Sequence, residues 1–295
     1  MRKYFMIVAM IAFCFLFTAC ANNNSKDANV SKIQQSSSST PSSSSTPDSS
    51  SMPISTPESS SQAISSTLQP KPTANVTVVE GDSIPQIAQK MQDNGVCSKV
   101  DFLSTVNSYD FSYYPLVKQI QYDPSRRCYK LEGYLFPDTY TFYLNSKPQD
   151  AIGKMLTNTE SKIGSKYSFS GMTTDQVITL ASIIQKEAPD ITNMKKISSV
   201  FHNRLDPKNK ISYLGADSTV FYLTKYLASV NDAIVEKYKK YYNTNIRIKG
   251  LPEGPICSPG TNALTAAANP ENTLDLYFYS DSSGYHYSVT GNKAS

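Results

Sequence analysis

Between Ser31 and Ser66 half of the residues, 18 of 36, are serine, and only Lys32, Asp48 and Glu58 carry charge. A segment this poor in apolar side chains cannot offset the entropy lost on ordering, so it reads as a tether outside any core. The Ser, Thr and Pro content extends that reading over residues 21–75. Any fold is therefore confined to residues 76–295, which are numerous enough for a sizeable core. From residue 77 onward 23 basic side chains face 21 acidic ones. That near balance argues against nucleic acid as a partner. Two His and no Cys-x-x-Cys pair argue against a metal site. No nucleotide or cofactor motif is present, so no cofactor is expected.

The first twenty residues read as an address. Arg2 and Lys3 precede the apolar run Tyr4–Ala19, which closes in Phe17-Thr18-Ala19-Cys20. The run is slightly short for a membrane span. Small residues before a cysteine resemble a bacterial lipoprotein box, with Cys20 taking the lipid; a signal anchor is the alternative. Both readings place the folded part at the extracytoplasmic face of the cell membrane. Of the remaining cysteines, Cys97, Cys128 and Cys257, at most one pair could bond. All three are expected as small buried residues.

The folded part reads as α+β, in two units. In residues 76–125, the β-branched run Val76–Glu80 predicts a strand. Gly81-Asp82-Ser83 breaks it, and Ile84, Ile87, Ala88 and Met91 follow at helical spacing. A second helix is expected near Lys99–Val106. A strand and two short helices resemble a LysM-like module. Residues 126–295 read as a mixed α/β domain. Strand character is expected at the end of Leu131–Phe142. Helices are expected over Pro148–Ile163, Thr174–Ala188 and Thr192–Leu205. A hairpin is expected from Leu274–Tyr279 and Tyr285–Val289 around Asp281-Ser282-Ser283-Gly284.

One carboxylate falls in an unusual place. With Leu180 at zero on a wheel of about 100° per residue, Ile184 lies at about 40°, Ile183 at about −60° and Glu187 at about −20°. Glu187 therefore follows the apolar stripe, while Gln185 and Lys186 point elsewhere. A carboxyl drawn into an apolar setting resists ionisation, and a raised pKa suits a general acid near neutral pH. Because Pro189 ends the helix, Glu187 turning out to solvent is the competing reading.

The neighbouring motifs narrow the choice. Ala181–Ala188 is followed by Val200-Phe201-His202-Asn203-Arg204-Leu205, Asp217-Ser218-Thr219-Val220, Tyr242-Asn243-Thr244 and Gly250–Gly260. Leu276-Tyr277-Phe278 and His286 come last. With the Glu132–Tyr140 segment, this ordered set resembles the endolytic murein transglycosylase family, the MltG or YceG-like proteins, over roughly residues 76–290. The resemblance implies an enzyme that cuts the MurNAc–GlcNAc bond of peptidoglycan strands and leaves 1,6-anhydroMurNAc ends. Glu187 would act first as acid and then as base. Gln185 stands where the family often has Glu. The substrate-binding positions implied are Glu132, Asn203, Asp217, Thr219, Asn243, Ser258 and His286. Glycan strands, the cell-wall synthases of the elongation machinery and the membrane are the implied partners. Three rival readings stay open: a non-catalytic peptidoglycan-binding lipoprotein, a muramidase pairing Glu187 with Asp217, and a thiol enzyme using Cys257 with His286.

Overall fold

The computed structural model describes residues 70–291 other than residue 212. The secretory address, Cys20 and nearly all of the Ser-rich stretch lie outside the described residues. No helix among the described residues is long and apolar enough to cross a membrane.

The chain opens with β1 (Thr73–Val78), where Val76 and Val78 point inward and Thr77 outward. Asp82 accepts from the Val79 amide at 2.9 Å and tightens the turn into α1 (Ile84–Asp93). Gln86 Oε1 accepts from the Ser83 amide at 3.1 Å, and Pro85 sits in the first turn. Ile84, Ile87, Ala88 and Met91 form the buried stripe that the spacing predicts. Helix α2 (Lys99–Ser108) packs against α1, and the short α3 (Pro115–Lys118) follows.

The strand that completes this sheet is β2 (Asp138–Tyr143). It pairs antiparallel with β1, from Thr73↔Tyr143 to Val78↔Asp138. The Thr77 and Thr139 hydroxyls meet at 2.9 Å, while Tyr140 and Phe142 face the core. The boundary drawn after residue 125 thus cuts through a two-stranded sheet. In the chain just before β2, Leu131–Phe136 is buried throughout. It is fixed by Thr159 on α4 (Pro148–Lys162), whose hydroxyl donates to the Tyr134 carbonyl at 2.6 Å and accepts from the Phe136 amide at 3.2 Å.

Helix α5 (Thr174–Glu187) is the centre of the molecule, with every residue from Val177 to Ile184 buried. It starts on a capping box of Thr173 and Gln176 and packs against α6 (Ile191–Leu205) and α9 (Thr261–Ala268). Between them lie α7 (Asp217–Phe221), a π-helical turn over Tyr222–Leu227, and α8 (Asp232–Tyr242). Alanines 263, 266, 267 and 268 let α9 approach closely. Residues 126–291 are therefore mainly helical. Their strands are β2, given to the first sheet, and a hairpin of β3 (Tyr277–Asp281) and β4 (Gly284–Ser288).

That hairpin starts later than predicted. Asn203 Nδ2 donates to the Thr273 and Asp275 carbonyls, both at 2.9 Å, and the Ser199 hydroxyl meets that of Thr273. The backbone at 273–275 is thereby held on α6 instead of in a ladder.

Candidate active site

Glu187 is the last residue of α5. The helix stops there because Pro189 pushes Ala188 into an extended conformation, φ −142° and ψ 145°. The Glu187 carbonyl, left without a helical donor, accepts from the Tyr285 hydroxyl of β4 at 2.8 Å. Its side chain turns inward, and Oε1 is shut off from solvent without a hydrogen-bond partner. Burial raises the carboxyl pKa, the neighbouring Asp217 charge adds to the rise, and Ser218 and the Arg204 guanidinium oppose it. Ser218 sits close enough to pull the pKa down, yet its buried hydroxyl is itself unpartnered, as is Oε1. A carboxyl whose pKa burial raises, with an unpartnered oxygen beside an unpartnered hydroxyl, is suited to give a proton to a bound oxygen.

The wall facing Glu187 is the first turn of α7. The Ala216 amide donates to Thr244 Oγ1 at 3.1 Å, and the Gly215 amide to the Thr244 carbonyl at 3.1 Å. Thr219 donates to the Ala216 carbonyl at 2.7 Å and meets the Thr244 hydroxyl at 3.0 Å. This closed network holds Asp217 and Ser218 at the acid. Asp217 is exposed and accepts from Asn245 Nδ2 at 2.6 Å. Asn243 caps α8 and accepts from the Asn245 and Ile246 amides. Arg204, from α6, donates to the Leu276 and Leu214 carbonyls at 2.7 and 2.6 Å, joining hairpin and α7 loop beside the acid.

Several positions expected to touch substrate are structural instead. Glu132, Thr219 and Ser258 are each 0% exposed, so none lines a cleft. Glu132 accepts from the Ile84 amide at 3.0 Å and from the Tyr222 hydroxyl at 3.0 Å. It ties the start of α1 to the π-helical turn, and burial pushes its carboxyl up to about 8 against those two donors. The Ser258 backbone exchanges two 2.8 Å bonds with Gly81 and Asp82, so it serves the turn before α1. Asn203 spends its donors on the 273–275 backbone. His286 lies on the strand face opposite Tyr285, stacked on Tyr279 and paired with Asp281 at 2.9 Å, so it turns away from Glu187. Asp217 is the one expected partner placed beside the acid.

The thiol reading fails on geometry. Cys257 is fully buried and donates to the Ser182 carbonyl at 3.2 Å, and burial raises its pKa. His286 is committed to the hairpin. All three cysteines among the described residues are free, Cys128 and Cys257 buried and Cys97 half-buried. No group of three or more His, Cys, Asp or Glu among the described residues could hold a metal ion.

Sequence reasoning missed Arg204, Ser218 and Tyr285 as site residues. Arg204 and Ser218 lie inside motifs, but only the fold shows that they meet Glu187. Tyr285 lies 98 residues from Glu187, and nothing local announces that contact. Gln185 has a structural duty as well. Its Oε1 accepts from the Gly260 amide at 2.9 Å at the start of α9, a task that a Glu oxygen would also perform.

A central helix that ends in one inward-turned carboxyl, framed by a helical layer and a hairpin, defines an α+β protein with a single-acid site. The chain belongs to the YceG-like family, whose model matches residues 53–293. A Bacillus subtilis (strain 168) protein named endolytic murein transglycosylase is 31% identical over 223 residues, covering 71% of this chain and 59% of the relative. A Streptococcus pneumoniae (strain D39) protein of the same name is 26% identical over 231 residues, covering 70% of this chain and 40% of the relative. The chain thus spans less than two thirds of the length of these relatives. Among solved structures, a crystal structure of a yceG-like protein from Listeria monocytogenes superposes with a TM-score of 0.61 at 30% identity. That match covers 74% of this chain and 73% of the other.

Proposed function

We propose that this chain is an endolytic lytic transglycosylase acting on peptidoglycan glycan strands. The observation that carries the reading is the buried, unpartnered Oε1 of Glu187, in a chain similar to proteins named endolytic murein transglycosylase. The protonated Glu187 gives its proton to the oxygen bridging a MurNAc C1 and the next GlcNAc. The C1–O bond breaks as positive charge develops on the muramyl ring. The 6-hydroxyl of the same sugar attacks C1, and the ionised Glu187 takes the hydroxyl proton. The product is a 1,6-anhydroMurNAc end, no water is consumed, and the acid is restored. One carboxyl serves both steps, unlike the carboxylate pair of ordinary glycosidases.

A second reading rests on Asp217, whose exposed carboxylate is near enough to raise the Glu187 pKa. As a base it would activate water and make the protein a muramidase. Mass spectrometry of products from purified peptidoglycan separates the two. Anhydro ends that disappear in Glu187→Gln support the transglycosylase, and reducing ends support the hydrolase. Intact strands with the native protein would leave a binding lipoprotein.

The remaining assignments belong to the same proposal. Cys20 carries a lipid that holds the protein at the extracytoplasmic face, which palmitate labelling of Cys20→Ala tests. The β1–α1–α2–β2 unit is a LysM-like glycan holder, and synthases of the elongation machinery are the protein partners.

A further inference from the structure

Ser218 has two sides. One faces Glu187, and the other borders a pocket of about 270 Å³. The pocket walls include Lys186, the residue just before the acid, and Phe221, Lys225 and Tyr226. Two ammonium groups converge there on one ring, Lys186 Nζ at 5.2 Å and Lys225 Nζ at 5.8 Å from the Tyr226 centroid. Lys186 also donates to the Tyr226 hydroxyl at 3.5 Å. Among the described residues neither lysine has a carboxylate within ion-pair distance. Two ammonium groups gathered on one ring with no carboxylate in direct contact, the Glu132 carboxyl being buried and more distant, favour an anion between them.

The local backbone is shaped for this arrangement. Tyr222–Leu227 is π-helical, with the Ala228 amide bonding to the Leu223 carbonyl five residues back at 3.1 Å. Such turns are rare and concentrate at functional sites. Gly81, at φ +86°, leaves room for the ammonium, because a Cβ there would lie 3.1 Å from Lys186 Nζ. The volume falls just below the roughly 300–1,000 Å³ usual for small-molecule pockets. The pocket therefore suits one residue-sized group. Phe221, 60% exposed, adds an apolar wall.

We infer that this pocket is a subsite for a free carboxylate of the peptide that a muramyl sugar bears on its lactyl group, gripped by Lys186 and Lys225 beside Glu187. The inference rests on the glycan-cleaving reading above. It makes the enzyme prefer peptide-bearing strands, because the charge-assisted contact positions the sugar next to the acid.

The test uses the full-length protein in detergent and two probes, N-acetylmuramoyl-L-alanyl-D-glutamate and its diamide, titrated by calorimetry. The acid is expected to bind at least about tenfold more tightly than the diamide, as loss of charge-assisted hydrogen bonds implies. That preference is expected to shrink in Lys225→Met, at an exposed position, and to vanish in Lys186→Met/Lys225→Met. Equal binding of the two probes, or a preference that survives the double substitution, overturns the subsite. Strand cleavage is scored in the same preparations. Cleavage without acid preference rejects the subsite alone, whereas acid preference without cleavage supports the anion pocket and rejects the enzymatic reading.

Discussion

The Tyr285 hydroxyl donates to the Glu187 carbonyl at 2.8 Å, so a C-terminal hairpin fixes the end of the helix that presents the acid. The side chain of Glu187 has no hydrogen bond of its own to orient Oε1. Its direction depends on the last turn of α5 staying formed, and last turns fray when their carbonyls are unpartnered. Tyr285→Phe removes that bond and keeps the ring. The expected stability cost is about 1 kcal/mol, a fall in Tm of roughly 2–4 °C for a domain of this size. The expected loss in kcat is several-fold, with KM little changed, because the acid is misaligned and not removed. Thermal melts and product release rates measure both. A lowered Tm at unchanged kcat would show that Tyr285 holds the fold without steering the acid.

Asp217 gives the pH profile a predictable direction. A general acid works protonated, so the rate falls as pH rises through its pKa. The Asp217 charge is one of the influences that raise the Glu187 pKa, second to burial. Asp217→Asn removes that charge and still offers an oxygen to Asn245. The high-pH limb of kcat/KM is therefore expected to move to lower pH, with the plateau near its original height. A plateau that collapses by about 10²-fold or more at every pH would mark Asp217 as a catalytic base and favour the hydrolase.

The helices α1, α2, α4, α5 and α6 were legible because their apolar residues recur at helical spacing and their starts carry caps, as at Thr173 and Gln176, or a first-turn proline, as at Pro148. The inward turn of Glu187 was legible from the same spacing. The regions around α7, α8 and the π-helical turn were not. Their order depends on contacts distant in sequence, such as Thr219 with Thr244 and Tyr222 with Glu132. The motif residues proved hardest to sort. Asn203, Thr219 and Ser258 are polar and sit among the motifs that surround Glu187 in sequence, yet their backbone and side-chain bonds show that they build the frame. A hydroxyl or amide in a sequence looks alike whether it will meet a sugar or a carbonyl, and only burial separates the two.

The Gly- and Pro-rich loop at residues 250–260 makes a packing prediction. A Cβ on Gly254 would lie 2.7–2.9 Å from Nε, Cζ and Cδ of Arg127. Arg127 is 0% exposed and cannot give way. It donates to Asp175 at 2.9 Å and to the Tyr129 and Glu132 carbonyls at 3.1 and 3.2 Å. A Cβ on Gly133, at φ +83°, would lie 2.5 Å from Pro255 Cβ. Each of Gly254→Ala and Gly133→Ala is expected to cost about 1–3 kcal/mol from overpacking, and Gly133→Ala the more because its backbone also disfavours a side chain. Urea midpoints at constant m-value give the measurement. Wild-type midpoints in both variants would mean that the loop relaxes freely around Arg127.

Glu132 supplies a stability prediction whose sign follows from its pKa. Burial raises the folded carboxyl from 4.5 to about 8, outweighing the Ile84 amide, the Tyr222 hydroxyl and the more distant Arg127 and Lys186 charges. A group with a raised folded pKa binds its proton more tightly in the folded state. Its stabilising contribution is complete below about pH 4.5 and is lost as pH rises toward about 8. Glu132→Gln cannot titrate. Its carbonyl oxygen accepts from the Ile84 amide, and its amide group can donate to the Tyr222 oxygen. Glu187 titrates with the same sign, and His202, lowered by burial, with the opposite one; both persist in the variant. The informative quantity is therefore the difference in unfolding free energy between wild type and Glu132→Gln, taken at pH 5 and at pH 8. Wild type is expected to lose ground relative to the variant across that interval. A difference independent of pH would mean that Glu132 remains ionised in the fold, sustained by its two donors and by Arg127 and Lys186 in spite of its burial.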